Sequence, residues 1–163
     1  MIRFKLAELL KEAPGSTRFF TVNEGRRKLG NDLTVDFLRG SVEFLRTNKG
    51  IFAKGNFQTQ VQLQCARCLK MFAQPLTIHL ADQFSLSPNK LAEEPEFPIA
   101  GDGILDLTPA LRERIILNLP IKPLCRPDCL GLCSRCGQNL NEGPCGCKEE
   151  AVDPRLAVLK QLL

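Results

Sequence analysis

The sequence predicts an α+β fold: an antiparallel β meander curled into a partial barrel, with a few short helices and a cysteine-rich C-terminal element. Three observations predict it. From Leu33 to Leu86 apolar and polar residues alternate with period two between turn signals. Helical spacing is confined to short stretches such as Leu111, Ile115 and Leu119. Six of the eight cysteines fall between Cys125 and Cys147. The expected division is a β domain with short helices over residues 1–120, and a cysteine-rich element with a terminal helix packed on it over 121–163.

Taken in order, Phe4 to Leu10 suits a short strand or helix that stops before Pro14-Gly15. Arg18 to Val22 has strand-like content and leads into a polar, basic loop from Asn23 to Lys28. Leu33, Val35 and Phe37 then alternate, and Leu38, Val42 and Phe44 continue on the opposite parity. Such a switch is what a bulge or bend produces. Thr47-Asn48-Lys49-Gly50 is a hairpin turn. In the next strand Ile51, Ala53, Phe57, Val61 and Leu63 alternate with Lys54, Asn56 and a run of glutamines. Cys65-Ala66-Arg67-Cys68 turns into a third strand whose Leu76, Ile78, Leu80, Phe84 and Leu86 share a face. Residues 87–103 are acidic and loop-like. Thr108 is placed to cap a helix with Pro109 at its first position, and Pro120 ends it. Asp153-Pro154-Arg155 starts a short terminal helix through Leu156, Leu159, Leu162 and Leu163.

The chain has 163 residues, with 44% hydrophobic and 25% charged content, ordinary for a soluble globular protein. No apolar run approaches the roughly 18–20 residues a spanning helix needs. Glu8 and Glu12 interrupt the N-terminal stretch, which argues against a secretory signal or transit peptide. The expectation is a cytoplasmic protein with no membrane partner. In that compartment thiols stay reduced, and clustered cysteines are more often metal ligands or redox groups than disulfides.

The net charge of +4 is uneven. Residues 1–80 carry 13 Lys and Arg against 6 Asp and Glu; residues 81–124 carry 4 against 7; residues 125–163 carry 5 of each. A basic first half is compatible with a polyanionic partner, although solvated Lys and Arg faces are common elsewhere.

The cysteines run Cys65-x2-Cys68, then Cys125-x3-Cys129-x3-Cys133-x2-Cys136-x8-Cys145-x-Cys147. Zinc takes four thiolate or imidazole ligands tetrahedrally, and a C-x2-C turn delivers two thiolates to one ion. Cys133, Cys136, Cys145 and Cys147 make a compact set on one loop. Cys65 and Cys68 would form a second set with Cys125 and Cys129, tying the meander to the C-terminal element. A competing partition takes Cys125 or Cys129 into the first set. One or two zinc ions follow, and four thiolates also suit an iron–sulfur centre. Each zinc bound by four thiolates adds a formal −2, so two sites would bring +4 to zero.

Little points to catalysis or to a small-molecule substrate. The single histidine, His79, lies opposite in parity to the strand's apolar face. There is no P-loop, no G-x-G-x-x-G and no nucleophile elbow. A redox role for Cys65-x-x-Cys68 would set the pair at a helix start, whereas here it lies between antiparallel strands. A closed four-thiolate zinc site is structural by default.

Ordered blocks carry a more specific resemblance. Cys65-Ala-Arg-Cys68-Leu69 is followed by Asp106-Leu-Thr-Pro109, Leu119-Pro120 and Pro123-Leu-Cys125. Then come Cys129-Leu-Gly-Leu-Cys133-Ser-Arg-Cys136-Gly-Gln-Asn-Leu-Asn-Glu-Gly-Pro-Cys145-Gly-Cys147 and Asp153-Pro-Arg-Leu-Ala-Val-Leu159. This resembles the large ribosomal RNA subunit accumulation protein family, YceD, from about residue 15 onward. The resemblance implies a non-enzymatic factor for 23S rRNA accumulation or processing in large-subunit assembly. Its expected partner is 23S rRNA or a large-subunit precursor, met through Arg26, Arg27, Lys28, Lys49, Lys54, Arg67 and Lys70. The alternative is an adaptor that recruits a ribosomal protein or RNA-processing enzyme without touching RNA.

Overall fold

The computed structural model describes residues 1–30, 32–86 and 96–147. Its backbone is a long antiparallel meander: β4 (Thr34–Thr47), β5 (Gly50–Gln64) and β6 (Met71–Ser85). The tight turn at Asn48-Lys49 sets Thr47 opposite Gly50. β2 (Thr17–Glu24) lines the outer edge of β4, and β3 (Arg27–Lys28) pairs beside it. β7 (Glu96–Pro98) adds in parallel to β6, giving the order β2-β4-β5-β6-β7. A two-stranded sheet joins β1 (Arg3–Lys5) to β8 (Ile104–Asp106). Among the described residues two helices complete the elements, α1 (Ala7–Lys11) and α2 (Thr108–Asn118).

The parity switch has the expected cause. Val35 faces Val61, but Phe37 faces Gln60, so the register shifts by a bulge between them. One extra residue flips the side chains, and Val35 and Leu38 both reach the core. The core lies on one face, where Phe44, Phe57, Ile78, Leu80 and Phe84 are buried under Leu9, Leu105, Leu111 and Ile115. Phe4, Phe20 and Phe44 pack tilted or edge-on with ring centroids 5.0–5.7 Å apart, fixing β1 against the sheet. At Gly40 a Cβ would stand 2.2 Å from the Asn56 carbonyl oxygen, so only glycine lets β4 and β5 close over Phe57.

Several expectations are corrected. Among the described residues the sheet does not close into a barrel: β2 and β7 remain its two ends. The basic loop is partly strand, since Arg27 and Lys28 pair with Val35 and Thr34. The acidic loop is partly strand as well, and residues 87–95 lie outside the described residues, as does the expected terminal helix after Asp153. Thr108 makes no side-chain cap. Its hydroxyl accepts the Ile2 N–H at 2.8 Å, while Asp106 Oδ1 accepts the Thr108 N–H at 2.9 Å. The Thr108 hydroxyl is taken up by the Ile2 N–H, leaving Asp106 to satisfy the helix start. Burial opposes charge on Asp106, but hydrogen bonds from Thr108 and Arg3 prevail and hold its carboxyl below the usual range.

Candidate metal centres

The two C-x2-C turns fold alike, residue for residue. In the first, the Cys65 thiolate receives backbone N–H groups from Arg67 and Cys68; in the second, Cys133 receives them from Arg135 and Cys136. The N–H four residues on returns to the first cysteine's carbonyl, at 3.0 Å for Leu69 and 2.9 Å for Gly137. The first cysteine's own N–H reaches the carbonyl five residues on, at 2.9 Å for Lys70 and 2.8 Å for Gln138. Each turn demands a left-handed residue after the second cysteine, Leu69 at φ 59° and Gly137 at φ 73°. Glycine takes this conformation freely, whereas a leucine there is strained by about 1–2 kcal/mol. Leu69→Gly is therefore expected to raise the stability of metal-loaded protein by about 0.5–1 kcal/mol, read by thermal unfolding. Leu69 is 53% exposed and sacrifices little packing.

α2 ends at Asn118, and the chain then crosses to the far end of the β5–β6 hairpin. There the Ala66 N–H donates to the Pro123 carbonyl at 2.8 Å, and Arg67 Nη1 donates to the Cys129 carbonyl at 2.7 Å. These links bring Cys65 and Cys68 beside Cys125 and Cys129. Cys133, Cys136, Cys145 and Cys147 form a separate group. Within each group all four sulfurs lie within 4.8 Å of one another. In the first, Cys65 and Cys129 sulfurs are 3.8 Å apart and Cys68 and Cys125 3.6 Å. A tetrahedron with metal–sulfur bonds of 2.3 Å has edges of about 3.8 Å, so the donor set fits a four-thiolate metal. Zinc or iron suits this chemistry.

Electrostatics follow from the same contacts. Burial works against ionising Cys65, but the N–H groups of Cys68, Cys125 and Arg67 bring its thiol down to about 6. The N–H groups of Cys136 and Arg135 bring Cys133 to about 6. Burial, with hydrogen bonding to Cys68, pushes Cys125 up to about 12, and hydrogen bonding to Cys136 does the same to Cys147. Burial opposes ionising Cys129 too, but hydrogen bonds from Asn141 and the Gly131 N–H lower it; a metal entering either group would displace the protons that the raised thiols keep. Cys68 and Cys125 also line a cleft of ≈ 360 Å³, an entry path to the first centre.

The residues expected to meet RNA are not one patch. Lys49 sits at the β4–β5 turn, and Arg67 and Lys70 sit beyond the other end of β5. That strand has 15 residues, so they stand about 45 Å apart along it. Lys54 is exposed on β5 and opposite Glu43. Arg27 is committed to Glu24 at 2.6 Å and to the Met1 carbonyl. Arg67 holds the Cys129 carbonyl. Arg26 and Lys28 lie beside the β4 segment that pairs with Val61, toward the cysteine end.

Sequence reasoning missed Asn141. From the loop between the second group's cysteine pairs, its Nδ2 donates to Cys129 Sγ at 3.5 Å. Its Oδ1 accepts the Leu130 N–H at 2.9 Å and Arg126 Nη2 at 2.7 Å. It braces the first group from the second group's loop, as outer-shell partners of ligands do. The available signal was the Asn139-x-Asn141 pair among cysteines, read only as loop.

Comparison with known proteins places these features in context. The model for the large ribosomal RNA subunit accumulation protein YceD matches residues 53–163. An uncharacterized protein of Mycobacterium tuberculosis is 33% identical over 119 residues, 71% of this chain and 57% of that protein. The uncharacterized protein YlbN of Bacillus subtilis is 29% identical over 105 residues, 64% of this chain and 61% of its own length. A maize protein named large ribosomal RNA subunit accumulation protein YCED homolog 1, chloroplastic, is 40% identical over 57 residues, 34% of this chain and 19% of the maize protein. This chain thus spans little more than half of the curated mycobacterial relatives it matches. No solved structure matches it.

Proposed function

This chain belongs to the YceD family, and from that membership we propose that it is a non-enzymatic factor for large-subunit rRNA accumulation that binds 23S rRNA or a precursor particle. The observation that carries direct RNA contact is the gathering of Arg26, Lys28 and Lys70, from separate segments, toward the cysteine end of the sheet. Among the described residues none of the three forms an ion pair. Arg26 does act on the Asp36 carboxylate at longer range, which leaves Lys28 and Lys70 as the cations most open to phosphate contact. The four-thiolate centres leave no coordination position open to a substrate when filled, which supports a structural role for the metal. They hold residues 125–147 against the hairpin end and keep Lys70 and Arg126 on a rigid support.

Neutralising about three phosphates of single strand implies a salt slope near −2.1, so affinity for 23S rRNA fragments should fall about 20-fold between 50 and 200 mM salt. The triple variant R26E/K28E/K70E should bind weakly with a flattened slope in filter binding. Salt-insensitive binding, or none at low salt, would overturn direct contact. One observation favours the adaptor reading: Leu117 and Ile121 are 77% and 105% exposed around the end of α2. Ultraviolet crosslinking in cells separates the two, because an adaptor yields protein partners without RNA adducts.

A further inference from the structure

The sheet buries one face and leaves the other open to solvent. On that open face the register builds complete rows across four strands. Thr21, Ser41, Asn56 and His79 form one row, and Asn23, Arg39, Gln58 and Thr77 form the next. Among those eight residues only Arg39 carries a formal charge at neutral pH. Amides and hydroxyls, which both donate and accept, supply the rest.

Around Gly40 this face dips into a depression of ≈ 280 Å³ lined by Arg39, Ser41, Asn56, Gln58 and Thr77. Beside it, the Arg39 guanidinium carbon stands 5.3 Å from the Phe37 ring centroid. Among the described residues no carboxylate pairs with that arginine. Toward β2 the exposed Phe19, at 72%, offers a second ring on the row of Glu43 and Lys54.

From the depression the face continues along Gln60, Gln62 and Gln64 to the Cys65–Cys68 turn and Lys70; on the way Gln60 and Gln62 donate to the Asp36 carboxylate at 3.2 and 2.6 Å, and Gln64 donates to the Leu69 carbonyl at 3.0 Å. Six residues of strand separate Gln58 from Gln64, about 20 Å. That is a path for a few nucleotides of single strand, with phosphates at the basic end and a base in the depression.

We propose that the open face of the sheet is a single-stranded RNA platform, in which the depression at Arg39, Ser41, Asn56 and Gln58 receives one unpaired nucleobase. Unstacked bases are read by hydrogen bonds on their edges and by stacking on aromatic rings or guanidinium planes, and this site has both. The inference rests on the RNA-binding reading above and names the site and the form of RNA it takes.

The test uses the full chain with fluorescent single-stranded RNAs of about eight nucleotides and a duplex of equal length, read by anisotropy. The variant Arg39→Ala/Gln58→Ala should lose about tenfold or more in single-strand affinity, lose any preference among bases, and keep its duplex affinity and melting temperature. The R26E/K28E/K70E variant should weaken both RNAs alike. If Arg39→Ala/Gln58→Ala binds single strands as the wild type does, this inference fails while the wider reading stands. If the wild type binds no RNA, both fail. A crosslinked protein on the Phe37–Thr77 face, in place of RNA, also overturns it.

Discussion

Cys68→Ser is expected to lower the metal content of natively purified protein from two ions per chain to one, and to free residues 121–147 from the sheet. Cys65 and Cys68 are the sheet's share of the first centre, and Cys125 lies 57 positions from Cys68 in sequence. A metal bound there closes a long loop that the unfolded chain leaves open. Structural zinc bound by short peptides contributes on the order of 10 kcal/mol, so losing one thiolate should remove at least about 4 kcal/mol. For a chain of this size that is roughly 8–16 °C in melting temperature. Hydrogen exchange should localise the loss to the Ala66–Pro123 contact and its neighbours, where Cys65 and Cys129 are now buried. Cys133→Ser should also remove one ion while leaving the 125–129 segment protected, because its anchors come from the hairpin end. Two ions retained by Cys68→Ser would show that the first group is not a metal centre.

Arg114→Met is expected to be the most damaging change away from the cysteines. Asp82 is on the core face of β6, between Leu80 and Phe84, and is 6% exposed. Arg114 on α2 reaches it through Nη2 and through Nε at 3.3 Å, joining helix to sheet. Removing the arginine leaves a buried carboxylate uncompensated, which costs about 3–5 kcal/mol; the 38% exposure of Arg114 sets the lower end. Because the neighbours of Asp82 are apolar, Asp82→Leu/Arg114→Met should recover most of that loss, to within about 1 kcal/mol of wild type. Urea unfolding of the single and double variants measures both. An unchanged single variant would mean that Asp82 finds water without its partner.

The sequence by itself determined what neighbours along the chain can decide. Period-two alternation placed β4, β5 and β6, a change of parity placed the bulge at Val35–Phe37, and Thr47–Gly50 placed the turn. The C-x2-C spacing marked both knuckles, because such a turn is closed by its own backbone N–H groups. These features depend on local sterics and short-range hydrogen bonds, which a window of a few residues contains.

Only the tertiary structure decided which thiols lie together as candidate metal ligands. In sequence Cys125 and Cys129 lie nearest to Cys133; in space the Ala66–Pro123 and Arg67–Cys129 bonds deliver them to Cys65 and Cys68. The same docking set Arg67 on the Cys129 carbonyl and gave Asn141 its place beside Cys129. Likewise the open, amide-rich face emerges only when four strands align their odd or even positions in one register. The physical reason is shared. Contacts between residues far apart in sequence depend on how α2 and the sheet bury their apolar faces together, and no local pattern contains that packing.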